Sequence, residues 1–541
     1  MRLTHFLLAP AAALLLDGAA PAARNADPAA AARMRAHVEF LAADRLEGRA
    51  TGSSGYASAA SYVAGQFKAL GLSPGAGLTG WYHQLRFRNA ANAANAAPPV
   101  VRFTIGGKEI AFAHGREVAV SPSMLVKQRS LRAGLVFVGH GISEPALGID
   151  EYAGLDVRGK IVIALDGTVR GLRTDIATHL DAVKERTAAA KGAVGFIEIA
   201  RIDGAAARQP LVQALDDSGT KVASAAPLAV EMAMSPDAAE RLFAGAPRGL
   251  QAMRSAPGRD RPVAGFALAG EMSVESRSDW QDYTAPQVIG LIRGSDPVLR
   301  DEYVVLMAHL DHLGIDPGAQ PGEDGIFNGA IDNAAGIATL IEVARAFSVS
   351  GSPPRRSVLL IATAGEERGL LGAYSLAAQP PVPLGQITAV INLDMPLLLY
   401  DFTDVIAFGA EHSTIVDAVA EAGRTMGVAV TPDPMPEQNL FIRSDHYPFV
   451  LQGVPSIFLV TGHANGGRQA WNRFLTRTYH RPHDDARQPI RWKQGARFAA
   501  LNYRIARTLA DQAGRPRWQT GDYFGARLLG RPVPMPVTPP R

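Results

Sequence analysis

The sequence predicts an α/β sandwich with a second, strand-rich module set into it. Past Asp279 short apolar runs alternate with longer amphipathic stretches, the pattern of a mostly parallel sheet crossed by helices. The runs at 303–308, 357–364, 389–393 and 454–460 are continuously apolar, as strands buried on both faces must be. From about 131 to 276 the texture changes to short strand-like runs separated by Gly and Pro, which sets that stretch apart.

The N-terminus reads as an export signal. Arg2 and His5 precede an apolar run at 6–16, and Ala20-Pro21-Ala22 supplies a small-x-small cleavage pattern, so residues 1–22 are expected to be removed. That run falls short of the ~20 residues needed to span a bilayer. No later stretch is apolar enough either, so stable membrane insertion is not expected. The expected destination is the periplasm or the medium.

Residues 31–72 read as two helices around a Gly-rich loop at 46–55. Met34, Val38 and Leu41 share one helical face, and Tyr56, Ala59, Ala60, Val63, Phe67 and Leu70 share another. Gly71 is placed to end the second helix. Strand-like runs at 135–138, 160–165, 193–199 and 266–274 make up the module, with one helix over 175–191. An amphipathic helix follows the run at 303–308, with Ile337, Leu340, Ile341, Ala344 and Phe347 on its apolar side. The Pro- and Arg-rich tail at 513–541 is expected to lie across the surface or remain partly disordered.

Composition narrows the chemistry. The 541 residues contain no cysteine, which excludes disulfides, iron–sulfur clusters, thiolate metal sites and cysteine nucleophiles. Any metal must be held by His, Asp and Glu. With 54 basic and 51 acidic residues, nothing argues for a nucleic-acid partner.

The informative residues stand where the buried runs end. The first leads into His309-Leu310-Asp311, the second into Gly365-Glu366-Glu367 and the third into Asp394. In open α/β sheets ligands gather beyond the carboxyl ends of the strands. Asp332, at the start of the amphipathic helix, and His480, in Tyr479-His480-Arg481-Pro482, can reach the same crevice. Two histidines with several carboxylates suit zinc, with manganese or cobalt as alternatives. The count suggests two ions sharing one carboxylate, which at ~3.5–4 Å apart would acidify a water between them. Glu366, beside a ligand, is then the candidate base, and Asp311 is placed to orient His309.

Six strings make the pattern familiar: Ala308-His309-Leu310-Asp311, Gly329-Ala330-Ile331-Asp332-Asn333-Ala334-Ala335-Gly336, Gly365-Glu366-Glu367, Asn392-Leu393-Asp394-Met395, Arg443-Ser444-Asp445-His446 and Tyr479-His480-Arg481-Pro482. In this order they resemble the dinuclear zinc peptidase family of bacterial and yeast aminopeptidases and glutamate carboxypeptidases. The resemblance implies a three-layer α/β sandwich with a mixed, mostly parallel central sheet. It implies two zinc ions, with His309 and Asp394 on one, Glu367 and His480 on the other and Asp332 bridging. It also implies Glu366 as general base and then acid, and Asp311 as the orienting carboxylate. Tyr479 would help hold the oxyanion and Arg443 would line the substrate pocket. The Tyr-His-x-Pro pattern selects His480 over His483 as the ligand, while His312 and His446 read as structural or pocket-lining.

The segment from Gly139-His140-Gly141 to Lys160-Ile161-Val162 looks like a protease-associated domain, an insertion found in part of that family. The implied organisation is a signal at 1–22, the first part of the catalytic domain at 23–130, the inserted domain at 131–277, the main catalytic segment at 278–512 and the tail. The implied activity is hydrolysis of N-terminal residues from peptides. The alternatives are a carboxypeptidase or dipeptidase of acidic peptides, a glutaminyl cyclase-like acyltransferase with one zinc, and a receptor-like binding protein without catalysis.

Overall fold

The computed structural model describes residues 28–95, 97–204, 210–216, 228–254 and 263–528. The expected signal at 1–22 lies outside them. Helices α1 (Pro28–Leu41) and α2 (Ser54–Ala69) bury Met34, Val38 and Leu41 from the first and Tyr56, Val63 and Phe67 from the second. The Ser53 hydroxyl caps α2 by accepting the N–H of Tyr56.

The strands that matter for the site follow in chain order. They are β1 (Tyr82–Asn92), β2 (Val100–Ile105), β3 (Gln128–Phe137), β4 (Ile161–Leu165), β5 (Gly195–Ile199), β6 (Val230–Met234) and β7 (Phe266–Ile292). Beyond these come β8 (Tyr303–His309), β9 (Ser357–Thr363), β10 (Ile387–Asn392), β11 (Asp404–Phe408) and β12 (Ser456–Thr461). Four of them, in the spatial order β9, β8, β10, β12, form the parallel centre of a mixed sheet. The second half of β7 joins β9 antiparallel, β1 joins β7, and β11 closes against β12.

Both faces of that sheet are covered, which is why its strands are apolar throughout. Val304, Leu306 and Ala308 of β8 face the layer of α1 and α2, while Tyr303, Val305 and Met307 face the opposite layer with Leu376 and Phe449. The expected amphipathic helix, Ala335–Val349, is buried in the first layer. Its one buried charge there, Glu342, accepts two hydrogen bonds from Arg33 at 2.8 Å. Among the described residues no helix is long and apolar enough to cross a membrane.

The second sheet combines β2, the first half of β7, β3, β4, β5 and β6, and packs its own core around Phe103, Phe137, Ile163 and Met232. Its limits differ from the expected 131–277. Residues from Val100 onward belong to it, because Val101 and Phe103 alternate with polar neighbours and pair against β7 with their apolar faces inward. One strand serves both sheets: β7 pairs with β3 through residues 266–277, with β1 through 278–288 and with β9 through 288–292.

The helix expected over 175–191 is two helices, Thr174–Ala182 and Lys184–Ala190. They break at Val183, where the buried Lys184 ammonium turns in to the Leu165 carbonyl and to Glu198. The tail also differs from expectation. Tyr523–Leu528 is helical, and Tyr523 and Phe524 are buried against the insertion and the main domain.

His412 ties three segments together at that junction. Its Nδ1 lies 2.6 Å from Asp522 of the tail, and its Nε2 lies 3.4 Å from Asp175 of helix Thr174–Ala182. Burial alone would lower this imidazole, but the bonds to Asp175 and Asp522, with Glu411 nearby, raise it to about 9. A raised histidine stabilises the fold fully below its ordinary value of 6.5, and the contribution is lost as the pH rises through about 9. Replacing His412 by Gln should therefore cost roughly 3 kcal/mol in slightly acid buffer. The gap should close between pH 7 and 9, measured by denaturant unfolding of both proteins across that range.

Candidate metal centre

Each candidate ligand is delivered by an element whose end is fixed. His309 is the last residue of β8, Glu366 and Glu367 form the turn that follows β9, and Asp394 stands two residues beyond β10. Asp332 precedes helix Ala335–Val349 in a loop held from three sides. The carboxylate of Asp484 accepts the N–H groups of Ile331 and Asp332, at 3.0 and 2.9 Å. The buried Arg49 guanidinium donates to the Asn328, Gly329 and Leu310 carbonyls. Asn333 bonds the Leu393 carbonyl, and at Gly336 a Cβ would come within 2.3 Å of that same carbonyl, so only glycine lets the helix start approach the end of β10. His480 lies in the loop after helix Gly467–Arg477 with φ of 55°.

The structure brings these groups together in two sets. Nε2 of His309 is 3.0 Å from Oδ1 of Asp332 and 3.0 Å from Oδ1 of Asp394. Nε2 of His480 is 3.3 Å from Oδ2 of Asp332 and 3.2 Å from Oε2 of Glu367. Asp332 thus presents one oxygen to each set. Ligand atoms around a tetrahedral zinc with bonds near 2.0 Å stand roughly 3.3 Å apart, so the donor sets fit such ions in both chemistry and spacing. Donor atoms of His309, Glu366 and Asp394 also lie within 4.8 Å of one another, which sets Glu366 beside the first set.

Neighbouring side chains fix the ligands. Ser444 donates to Oδ2 of Asp394 at 2.6 Å and accepts from Asn392 at 2.6 Å. His312 Nδ1 lies 2.6 Å from Oε1 of Glu367, leaving Oε2 toward His480, and its ring fills the space that a side chain at Gly329 would take. Asp311 behaves differently from its expected part. His309 Nδ1 meets the main-chain carbonyl of Asp311 at 3.1 Å, while the carboxylate accepts from Thr51 and from the N–H of Glu366. The carboxylate points past the imidazole to the turn that carries Glu366.

Tyr479 stacks on His480 at 3.8 Å and lines the cavity over the donors together with Met395, Leu440 and Phe458. Arg443 sits exposed at the edge of that cavity. His446 is buried between Phe441 and Phe458, and burial lowers it to about 3, so it is neutral core. His483 is exposed and outside both sets. Sequence reasoning passed over Arg49, Asp484 and Ser444 and gave His312 no specific part. Asp484 carried a usable signal, since it stands four residues past His480, whereas nothing in the sequence distinguishes Arg49 from a surface arginine.

The electrostatics follow from burying so many carboxylates. Burial would raise Asp332, but bonds from His309 and His480 hold it well below the carboxylate range. Burial, with Asp394, Glu367 and Asp445 close by, pushes Glu366 well above it. His480, which burial would lower, is lifted to about 10 by Asp332 and Glu367, and His309 is likewise raised.

Residues 287–506 match the model for peptidase family M28. The match covers 220 of the 541 residues, and through this segment the chain is similar to that family. The alkaline phosphatase isozyme conversion protein of Escherichia coli is 30% identical over 167 residues, 30% of this chain and 47% of that protein. A probable zinc metalloprotease of Pyrenophora teres f. teres is 37% identical over 109 residues, 20% of this chain and 22% of that protein. The chain thus spans less than half the length of these curated relatives. Among solved structures, an aminopeptidase from Aneurinibacillus sp. strain AM-1 superimposes with a TM-score of 0.47 at 19% identity, over 91% of this chain and 96% of that one. His309, Asp332, Glu366, Glu367, Asp394 and His480 all fall within the matched span.

Two outcomes are expected. The carboxylates that raise His309 and His480 make protons compete with zinc for these imidazoles. Calorimetric titrations in buffers of different ionisation enthalpy should show proton release on zinc binding, with affinity falling as the pH is lowered. His312→Ala should weaken zinc binding by roughly 10- to 100-fold, read by chelator competition.

Proposed function

We propose that the chain is a metal-dependent exopeptidase, an aminopeptidase that removes N-terminal residues from peptides at a two-zinc centre. The observation that carries this reading is the pair of donor sets joined by Asp332 with Glu366 beside them. Zinc ions held there would acidify an attacking water and polarise the scissile carbonyl. The chain's own groups do the rest.

Glu366 takes a proton from the attacking water as its oxygen bonds to the carbonyl carbon. It then gives that proton to the amine nitrogen as the C–N bond breaks. Asp311 holds the Glu366 main-chain N–H and so keeps the base over the donors. The Tyr479 hydroxyl, which burial and four nearby carboxylates keep protonated, donates to the developing oxyanion. Met395, Leu440 and Phe458 give the terminal side chain an apolar seat. The same reading takes residues 1–22 as an export signal and the second sheet as a protease-associated insertion.

Glu366→Ala should lower kcat by roughly 10²- to 10⁴-fold while zinc content stays near two per chain. Asp332→Ala should lose zinc, measured by elemental analysis. A panel of free-amine, N-blocked and C-terminally acidic peptides, assayed before and after chelation, tests the class. Cleavage confined to free-amine peptides and abolished by chelator is the expected result. Preference for acidic C-termini would favour a carboxypeptidase, and a single tightly bound zinc without hydrolysis would favour the cyclase chemistry.

A further inference from the structure

Leu440 has two sides. One lines the cavity over the metal ligands, and the other, with Phe441, walls a second and larger cavity of about 580 Å³. This groove runs between the edge of the main sheet and the insertion. Its floor is apolar, with Ile406 and Phe408 of β11 and the partly exposed Val430. Its rim is acidic, with Glu411 and Asp433 from the main domain and Asp175 from helix Thr174–Ala182. Among the described residues Arg173 is the one Arg or Lys lining it, and it is engaged with Asp175 through both Nε and Nη2, while His412 lies 3.4 Å from the same carboxylate.

Several observations agree on an excess of negative charge here. Glu411 is 65% exposed, and its one close cationic neighbour is the buried His412, whose Nε2 lies 3.7 Å away, so its charge is only partly compensated. Asp433 is half-buried, and burial together with Glu411, Glu437 and Asp175 pushes its carboxyl up, as expected where carboxylates crowd without enough cations. Asn439, on the same wall as Leu440, carries a buried Oδ1 with no hydrogen-bond partner among the described residues. An apolar floor under an acidic rim suits a side chain with a long aliphatic stem and a cationic head, which can lie on the floor and reach the rim.

We propose that this groove is a subsite for the leaving part of the peptide, selecting lysine or arginine next to apolar residues. The inference rests on the exopeptidase reading and adds a substrate preference to it. A chain whose first residue sits in the metal cavity has to pass over Leu440 to reach the groove. The insertion, through Asp175, then contributes to the choice of substrate without touching the reacting atoms.

The test compares zinc-loaded protein on two free-amine pentapeptides that differ only in carrying lysine or glutamate at positions two to four. A single-residue aminoacyl amide, too short to reach the groove, serves as the control. The lysine peptide should show a kcat/KM about three- to tenfold higher, mostly through KM, as two or three partly screened charges allow. The Glu411→Gln/Asp433→Asn double variant should bring the ratio close to one while cleaving the amide at the wild-type rate. Raising salt to about 1 M should shrink the ratio in the wild type. Equal rates on both peptides with the amide still cleaved, or a preference that survives the double variant, would overturn the subsite alone. Failure to cleave the amide as well would overturn the exopeptidase reading beneath it.

Discussion

The crevice is governed by one constraint: more buried carboxylates than the protein's own cations can balance. Asp311, Asp332, Asp394 and Asp445 are all buried, with Glu366 and Glu367 beside them, and they face two histidines and the more distant Arg49 guanidinium. A buried carboxylate without a partner is expensive, so every neighbouring group is recruited to it. His309 and His480 are raised by the carboxylates they face, Ser444 and Thr51 turn their hydroxyls inward, and main-chain N–H groups are aimed at Asp484 and Asp311. Two divalent ions would bring four positive charges, which is what such a donor set lacks. The same excess makes Arg49 intelligible, since a fully buried guanidinium amid so many acids supports the loop of Asp332 while lowering the local negative potential.

Much of this was legible in the sequence because the relevant signals are local. Continuous apolar runs marked β8, β9 and β10, and the charged residue after each run had to sit at the mouth of the sheet. His309, Asp394 and the Glu366-Glu367 pair were therefore placed by strand ends alone. The supporting groups were not legible, because their partners are distant in sequence. Arg49 acts on carbonyls about 280 residues away. His312 became specific only when folding set it against Glu367. Asp311 was read through its spacing to His309, and spacing could not tell a carbonyl contact from a carboxylate one.

The boundaries of the second sheet escaped for a similar reason. The residues that open it, Val101 and Phe103, sit in a short alternating run that would serve equally well in either sheet. Register with β7, not composition, assigns them. The tail was misread because its Pro and Arg content described residues 513–541 as a whole, while Tyr523 and Phe524 decide where the described part goes. Two aromatic side chains outweigh a polar average.

β7 carries a further consequence. At about 3.3 Å per residue its 27 residues make a rod close to 90 Å long before twist, hydrogen-bonded into one sheet at each end. Adding or deleting a single residue near the crossover at 277 and 278 would turn every side chain of one half to the wrong face. Homologues of different size should therefore carry their insertions in the loops of the second sheet and keep this join at constant length. Whatever the loops of the second sheet gain or lose, the crossover is the fixed point.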